Sequence, residues 1–322
     1  MTSKFLLALA LAGSMLAAPV RLIFDTDMGN DVDDALALAM IHALESKGEA
    51  KLLAVTLTKD NRWAAPYVDL VNTFYGRGSI PVGVVHDGKT PQDGKMILVP
   101  AQKKRPDGSP VYPRKLTDGR DAPEAAGLLR DILAKEKDGT VAIVQVGFST
   151  NLARLLESGA DRDLVARKVR LLSVMAGAFP EGKPEYNVMT DIAAAKKLFA
   201  EWPTPIVASG YEVGLSILYP ASSIEHDFSY VPDHPIADAY RAYKPMPYDR
   251  PTWDPTAALY AIRPDAGYFS LSAPGTIGVD DEGRTHFRED PQGRHRYLKV
   301  DDGQRARVLK ALIELASRPP DR

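Results

Sequence analysis

RLIFDTDMGNDVDDALALAM, Arg21 to Met40, joins two apolar runs through a loop that carries five aspartates: Asp25, Asp27, Asp31, Asp33 and Asp34. The first run, RLIF, has the length of a strand. The second, around Ala35–Leu44, has the length of a helix. Carboxylates crowded this closely repel one another, and some would be protonated unless a cation compensates them. A helix N-terminus supplies only a fraction of a charge, so a bound divalent ion is the stronger compensation. Ligation by oxygen alone selects a hard cation, Ca²⁺ or Mg²⁺, and several carboxylates with room for water favour Ca²⁺. Capping plus solvated charge would account for two aspartates before a helix, but not for five.

The alternation continues along the chain. KLLAVTL leads into a helix over AAPYVDLVNTFYG, and the strand IPVGVV follows. DAPEAAGLLRDILAKEK reads as a helix capped by Asp121, with Pro123 in its first turn and Glu124 completing a capping box. Then come the strand TVAIVQV, the helix TNLARLLESG, the strand KVRLLSVM, the helix DIAAAKKLFAEW and the strand PIVAS. Uninterrupted apolar strands separated by helices predict an α/β fold. Its sheet would be open, mostly parallel and Rossmann-like, with helices on both faces. In such a sheet ligands bind beyond the carboxyl ends of the strands, and the aspartate run occupies such an end. Residues 88–121 and 219–250 break the rhythm and are expected to be long surface excursions that form lids or walls. Residues 268–300 read as short strands, with a closing helix near 302–317. No linker divides residues 19–322, which are expected to form one domain.

Composition narrows the function. The net charge of −2 gives no electrostatic case for a nucleic-acid polymer as partner. The absence of cysteine excludes disulfides, thiolate nucleophiles and cysteine-bound metals. MTSKFLLALALAGSMLAAPV has Lys4, an apolar run from Phe5 and small residues at Ala17 and Ala18, the pattern of a signal peptide over residues 1–18. A buried first helix is the competing reading. The run is short for a bilayer span, so the expectation is export, periplasmic or secreted, with no membrane anchor after cleavage.

Two known aspartate motifs do not fit. Counting from Asp25 or Asp27, no glycine falls at position 6 and no glutamate at position 12 of an EF-hand loop. A phosphatase of the haloacid-dehalogenase type would need Thr or Val where Gly29 stands.

DTDMGNDVDDALAL resembles the signature of the inosine–uridine-preferring nucleoside hydrolase family, an Asp-x-Asp-Pro-Gly-x-Asp-Asp run followed by an apolar helix. Met28 stands where proline is usual, and two extra residues precede Asp33. The likeness extends through KDNRWAAP, VQVGFSTNLARL, VMAGAF, EYNVMTDIAAA and WDPTAALYA. It implies a Ca²⁺ ion ligated by Asp27, Asp34, Asp254 and the backbone carbonyl of Val146. That ion would hold a water and the 2′- and 3′-hydroxyls of a ribose, and Asp27 would be the general base on the water. Asp33 and Asn187 would bond the ribose hydroxyls, Asn61 and Glu185 would grip the sugar, and Met175 would pack beneath it. The implied reaction is hydrolysis of the N-glycosidic bond of a ribonucleoside or related N-riboside to ribose and free base, as in purine and pyrimidine salvage. A homo-oligomer is the implied assembly.

Taken alone, several of these residues have other uses. Asp254, before Pro255, could be a helix cap, and Asn61 could cap the helix after it. Asn151 would support the turn that presents Val146, and Asp25 could orient the loop from behind. Asp31 could be a ligand, a loop cap or a solvated charge. The family's purine-active members carry histidine before the last metal ligand, to protonate the departing base. Here that residue is Trp253, which cannot donate a proton at neutral pH but could stack on a base or wall the pocket. A proton could come instead from His226, Tyr243, Tyr248 or Asp249. The alternatives to hydrolysis are an exported, non-catalytic ribose or nucleoside binder and, less favoured, a metal-dependent phosphatase built on Asp25 and Asp27.

Overall fold

The computed structural model describes residues 18–180 and 182–321. The expected signal peptide lies outside them except for Ala18, which is exposed. The strands are β1 (Val20–Thr26), β2 (Ala50–Lys59), β3 (Val82–Lys89), β4 (Val141–Gln145), β5 (Val169–Met175) and β6 (Ile206–Ser209). Then follow β7 (Leu218–Tyr219), β8 (Arg250–Pro251), β9 (Ser270–Leu271), β10 (Gly275–Val279), β11 (Thr285–Glu289) and β12 (His295–Lys299). The main sheet runs β11-β10-β12-β6-β5-β4-β1-β2-β3, with β9 beside β12, while β7 and β8 pair separately. From β12 to β3 every neighbouring pair is parallel, and β10 and β11 add an antiparallel edge. The expected open, mostly parallel α/β sheet is what the chain forms.

β1 lies in the interior of the sheet because its side chains can be buried on both faces. From Leu22 to Thr26 every residue is buried. It pairs with β2 on one side and β4 on the other, placing Asp25 opposite both Thr56 and Gln145. The helix Asp33–Ser46 is buried continuously from Asp33 to Leu44, as a helix that is apolar all round must be. It packs against the helices Trp253–Ile262 and Asp302–Ala316. One core cluster thereby links Leu22, near the start of the described chain, to Ala316, near its end. No helix among the described residues is long and apolar enough to cross a membrane.

Four local expectations need correction. The helix after Asp121 starts at Ala125, not in the preceding turn. Glu124 is itself the cap and accepts from the Gly127 amide at 2.8 Å, whereas Asp121 ends a separate 3-10 turn over Gly119–Asp121. A second helix, Gly159–Lys168, follows the one at Thr150–Leu155. Its only large buried apolar residues are Leu164 and Val165, too few for a visible period, and it is set by Ser158 capping the Asp161 amide. Residues 88–121 are not merely a surface excursion. They hold the helix Lys95–Gln102, whose Met96 and Ile97 are buried. That helix packs on Pro235–Tyr243, one of two helices, with Ala221–His226, in the other irregular region.

This packing shapes the aspartate loop. Gly29 has φ +115°, and a Cβ there would lie 2.6 Å from Ile97 Cδ1. Only glycine meets both conditions.

Candidate active site

The site lies at the carboxyl ends of β1, β4 and β5, where the helices Asp33–Ser46 and Trp253–Ile262 begin. Asp25 is completely buried behind it. One of its oxygens accepts from Thr56 Oγ1 at 2.6 Å and Asn151 Nδ2 at 2.8 Å. Burial, opposed by those two donors, pushes the Asp25 carboxyl up to about 7. Its interior position leaves it no access to a phosphate ester. The turn after β4 approaches so closely that a Cβ on Gly147 would lie 2.3 Å from Thr58 Oγ1 and 2.6 Å from the Asp27 amide nitrogen.

Asp27 faces the pocket and is 5% exposed. Its Oδ2 accepts from Asn30 Nδ2 at 2.7 Å, and Asn30 Oδ1 accepts from Lys59 Nζ at 2.8 Å. Lys59, buried at the end of β2, also donates to the Thr90 carbonyl at 2.6 Å. Burial raises the Asp27 carboxyl to about 6, with the Asn30 bond opposing. Burial lowers the Lys59 ammonium below its usual range. Neither Asn30 nor Lys59 was singled out from the sequence. The available signal was a lysine at the carboxyl end of an apolar strand.

Asp33 and Asp34 open their helix and lie under the pocket floor. Asp34 Oδ1 accepts from Thr26 Oγ1. Asp33 Oδ1 accepts from Arg250 Nε and Nη2 at 3.1 and 2.8 Å, and its Oδ2 accepts from the Asp254 amide at 3.3 Å. Asp33, not Asp254, therefore satisfies a free N–H of the helix Trp253–Ile262. Arg250, a residue the sequence did not flag, also reaches Asp31 Oδ2 at 2.7 Å. Its guanidinium carbon lies 5.1 Å from the Tyr243 ring centre and 4.9 Å from that of Trp253. Burial disfavours its charge, but Asp33 and Asp31 outweigh burial and hold it firmly protonated.

The oxygens fit a hard cation. Asp31, Asp33 and Asp254 each present a carboxylate oxygen within 4.8 Å of the others. Asp34 Oδ2 and Asp254 Oδ2 are buried without any hydrogen-bond partner. A buried oxygen without a donor is costly, and a cation relieves that cost. Desolvation first, and then neighbouring carboxylates, push Asp31, Asp34 and Asp254 well above the usual carboxylate range. The cluster could hold a metal ion, and every donor in it is oxygen.

Above this floor is a cavity of about 170 Å³. Of the residues to which the family resemblance gives a ligand, substrate or leaving-group position, Asp27, Val146, Met175, Glu185, Asn187, Trp253 and Asp254 line it. Asn61 stands apart. Its amide donates to the Pro91 carbonyl at 2.8 Å and Asp93 at 2.9 Å, and its oxygen accepts from the Trp63 amide at 2.8 Å. Asp31, Pro184, Tyr186 and Tyr211 complete the lining. Glu185 caps the helix Tyr186–Thr190, accepting from the amides of Asn187, Gly177 and Val188 at 2.9, 3.0 and 3.2 Å. Burial raises its carboxyl to about 7 against those three donors. Asn187 Nδ2 donates to the Val146 carbonyl at 2.8 Å and the Met175 carbonyl at 3.1 Å, tying β4 to β5.

Trp253 donates its indole N–H to the Tyr211 carbonyl at 2.9 Å, and the two rings stack with centres 5.5 Å apart. The four groups considered as proton donors do not line the cavity. Tyr248 donates to the Tyr240 carbonyl, Asp249 accepts from the Ala221 amide, Tyr243 packs on Arg250, and His226 is exposed.

The sequence pattern of one family, described as inosine-uridine preferring nucleoside hydrolase, matches residues 22–312. Among proteins of curated function, none matches in sequence. Solved structures do match in shape. A plant nucleoside hydrolase, PpNRh1, is 22% identical, with 94% of this chain and 100% of that one covered at a TM-score of 0.66. An inosine-uridine preferring nucleoside hydrolase from Bacillus anthracis is 20% identical over 92% and 99% of the two chains, TM-score 0.68. The type III effector protein XopQ, complexed with adenosine diphosphate ribose, is 17% identical over 93% and 94%, TM-score 0.66. At such identities the likeness shows a shared fold.

Proposed function

The chain belongs to the inosine-uridine preferring nucleoside hydrolase family and is an N-glycosyl hydrolase, and from that premise we propose that it cleaves ribonucleosides or related N-ribosides to ribose and free base in a calcium-dependent reaction. The observation that carries this reading is Asp27, a nearly buried carboxylate that faces the cavity and is held by Asn30. A carboxyl at about 6 is ionised at neutral pH and lies near the operating range of a general base. Asp27 takes the proton from a water that attacks C1′ as the glycosidic bond lengthens. The sugar then acquires oxocarbenium character, and the carboxylates around the cavity stabilise that charge. Glu185 and Asn187 present polar atoms to the sugar, and Met175 provides the apolar surface beneath it.

The expected ion set is Asp27, Asp34, Asp254 and the Val146 carbonyl. Bound there, Ca²⁺ would supply Lewis acidity and a template for the ribose hydroxyls. The unpartnered oxygens of Asp34 and Asp254 support this set. Arg250 already neutralises Asp31 and Asp33, which weighs against a dication seated on that pair. Among the described residues no Lys or Arg lines the cavity, so nothing on that surface favours a pyrophosphate ligand such as the adenosine diphosphate ribose complexed with XopQ.

Reducing-sugar release from purine and pyrimidine ribonucleosides, with calcium and with chelator, tests this reading. Release that depends on calcium and is lost in Asp27→Asn supports it. Folded, calcium-loaded protein that releases ribose from no N-riboside overturns it and leaves a binding role. We propose also that residues 1–18 direct export. β1 begins at Val20, so cleavage after Ala18 would leave the sheet intact, and the mass of the mature protein from its host tests this.

A further inference from the structure

We infer that the substrates this site favours are N-ribosides whose base is already cationic, with a quaternised ring nitrogen as in a pyridinium or N-alkylated purinium riboside. The inference rests on the hydrolase reading above and concerns the leaving group. Three observations carry it.

The first is the absence of an imidazole. None of the chain's six histidines lines the cavity. His42 and His234 are buried, His42 against Asn72 and His234 against Tyr230. His295 and His286 serve the β10–β12 region, and His86 and His226 are exposed. The indole of Trp253, at the position before Asp254, has no acidic proton, and its N–H is committed to the Tyr211 carbonyl. A neutral purine or pyrimidine departs as an anion unless it is protonated, and a placed general acid contributes about 10²–10⁴ in rate. A cationic base needs no such help.

The second is charge. Asp27, Asp31, Asp254 and Glu185 line the cavity, with Asp33 and Asp34 beneath it. Against these six carboxylates stand Arg250, Lys59 and one divalent ion, which leaves a surplus of acid around a cavity that no described cationic side chain lines. The third is the wall. Tyr186, Tyr211 and Trp253 line the cavity, the Arg250 guanidinium already lies over the Trp253 ring, and aromatic rings beside carboxylates are how proteins hold cationic nitrogen.

The step balances without an acid. Water oxygen bonds to C1′ and its proton passes to Asp27. The C1′–N bond breaks, and its electron pair stays on the ring nitrogen, cancelling the formal positive charge. The products are ribose, a neutral base and one proton released to solvent.

The test compares kcat/KM of the calcium-loaded full chain on nicotinamide riboside and 7-methylguanosine with that on inosine, guanosine and uridine. 4-Nitrophenyl riboside, whose leaving group needs no protonation, serves as the control. Each rate is divided by its uncatalysed rate to remove intrinsic lability. The expected result is cleavage of the control and a preference of at least roughly 100-fold for the cationic ribosides, near the low end of what a general acid supplies. Control cleavage with neutral nucleosides equal or better overturns the inference and leaves the hydrolase reading standing. The inference also fails if Tyr186→Phe or Tyr211→Phe selectively abolishes turnover of neutral nucleosides, because a phenol would then be the acid. No cleavage of any substrate overturns both readings. A readout without turnover is saturable quenching of tryptophan fluorescence by 1-methylnicotinamide, expected at roughly tenfold lower concentration than by neutral nicotinamide and lost in Trp253→Phe; equal quenching by the two overturns the inference.

Discussion

The floor and the wall of the cavity are built differently. The floor comes from the ends of β1, β4 and β5, where side chains are held by fixed partners, Asp25 by Thr56 and Asn151, Asp27 by Asn30, Asp33 by Arg250, and Glu185 by three amides, while Asp34 Oδ2 and Asp254 Oδ2 are left without a donor. The wall comes from residues after the strands, and Tyr186 and Tyr211 are 54% and 39% exposed. Its order rests on ring contacts and a single indole hydrogen bond. A rigid floor that handles the sugar and an adaptable wall that meets the base can vary independently. Chemistry is therefore expected to fail when the floor is altered, and base preference to move when the wall is.

The sharpest break of that division is Asp27→Asn. The new side chain keeps an oxygen that can accept from Asn30, so the fold stays. The base is gone, and kcat on any N-riboside should fall about 10²–10⁴-fold, with melting of the metal-free protein little changed. A residual rate near wild type would place the base elsewhere.

Next in size is Arg250→Met. Arg250 bridges Asp33 and Asp31 in the floor while its guanidinium lies over Trp253 in the wall. Removing it leaves two carboxylates without a cation, and stranding a buried partner costs about 3–5 kcal/mol. Urea unfolding in chelator should show that loss, and calcium should recover part of it. An exposed pair such as Lys196–Asp281 should cost no more than about 1 kcal/mol when broken. Equal losses at the two sites would mean that the floor is not the stressed region.

The floor was also the legible half. An aspartate run between an apolar strand and an apolar helix already implies a cation at a strand's carboxyl end, and the order of strands and helices follows from uninterrupted apolar runs. Glu185 and Asn187 could be named only through the family resemblance of EYNVMTDIAAA, and they lie at the cap and in the first turn of the helix Tyr186–Thr190 rather than in an extended stretch. Arg250 was not legible, and Lys59 only as a lysine at the carboxyl end of an apolar strand, because each is one basic residue among 40 and only tertiary packing buries its charge. Asn61 could be read as cap or ligand, and its bonds to Pro91 and Asp93 depend on a loop the sequence left without form. Tyr186 and Tyr211 carry no pattern, since an exposed aromatic acquires meaning only from the cavity it borders. The helix Lys95–Gln102 was hidden for a related reason. Pro100 lies inside it, where a proline reads as a helix breaker, and the buried Ile97 that presses on Gly29 is a contact distant in sequence.

The pH response should separate the two halves again. Asp25 and Glu185 belong to the floor, and burial raises both to about 7, from near 4 in an unfolded chain. A carboxyl raised on folding contributes stability that is fully present below its unfolded value and is lost as pH rises through its folded value. Metal-free protein should therefore lose a few kcal/mol between about pH 4 and pH 8, seen as a falling Tm. Calcium requires its carboxylates ionised, so its stabilising effect should grow over the same interval. Tyr186 in the wall is raised by burial above the usual phenol range and stays protonated throughout, so it adds nothing to the slope. A flat Tm in chelator would mean that the floor carboxyls are not strained by burial.

The smallest expected effect is the one that joins the halves. Trp253→His puts an imidazole beside Asp254, where Gly214 packs so tightly that a Cβ would lie 2.4 Å from Trp253 Cδ1. The smaller ring leaves a gap there and gives up the stacking with Tyr211 and the contact with Arg250, so its position is not tightly fixed. It should raise kcat/KM for inosine relative to nicotinamide riboside by roughly tenfold, below the 10²–10⁴ of a well-placed acid. The gain should fade as pH rises past the imidazole's range, near 6.5 in an unperturbed histidine, because only its protonated form donates. Turnover of 4-nitrophenyl riboside should change little by comparison, since that leaving group draws nothing from the wall. A variant that loses the nitrophenyl substrate as steeply as it changes inosine would show that Trp253 supports the floor, and the division between the two halves would not hold at this residue.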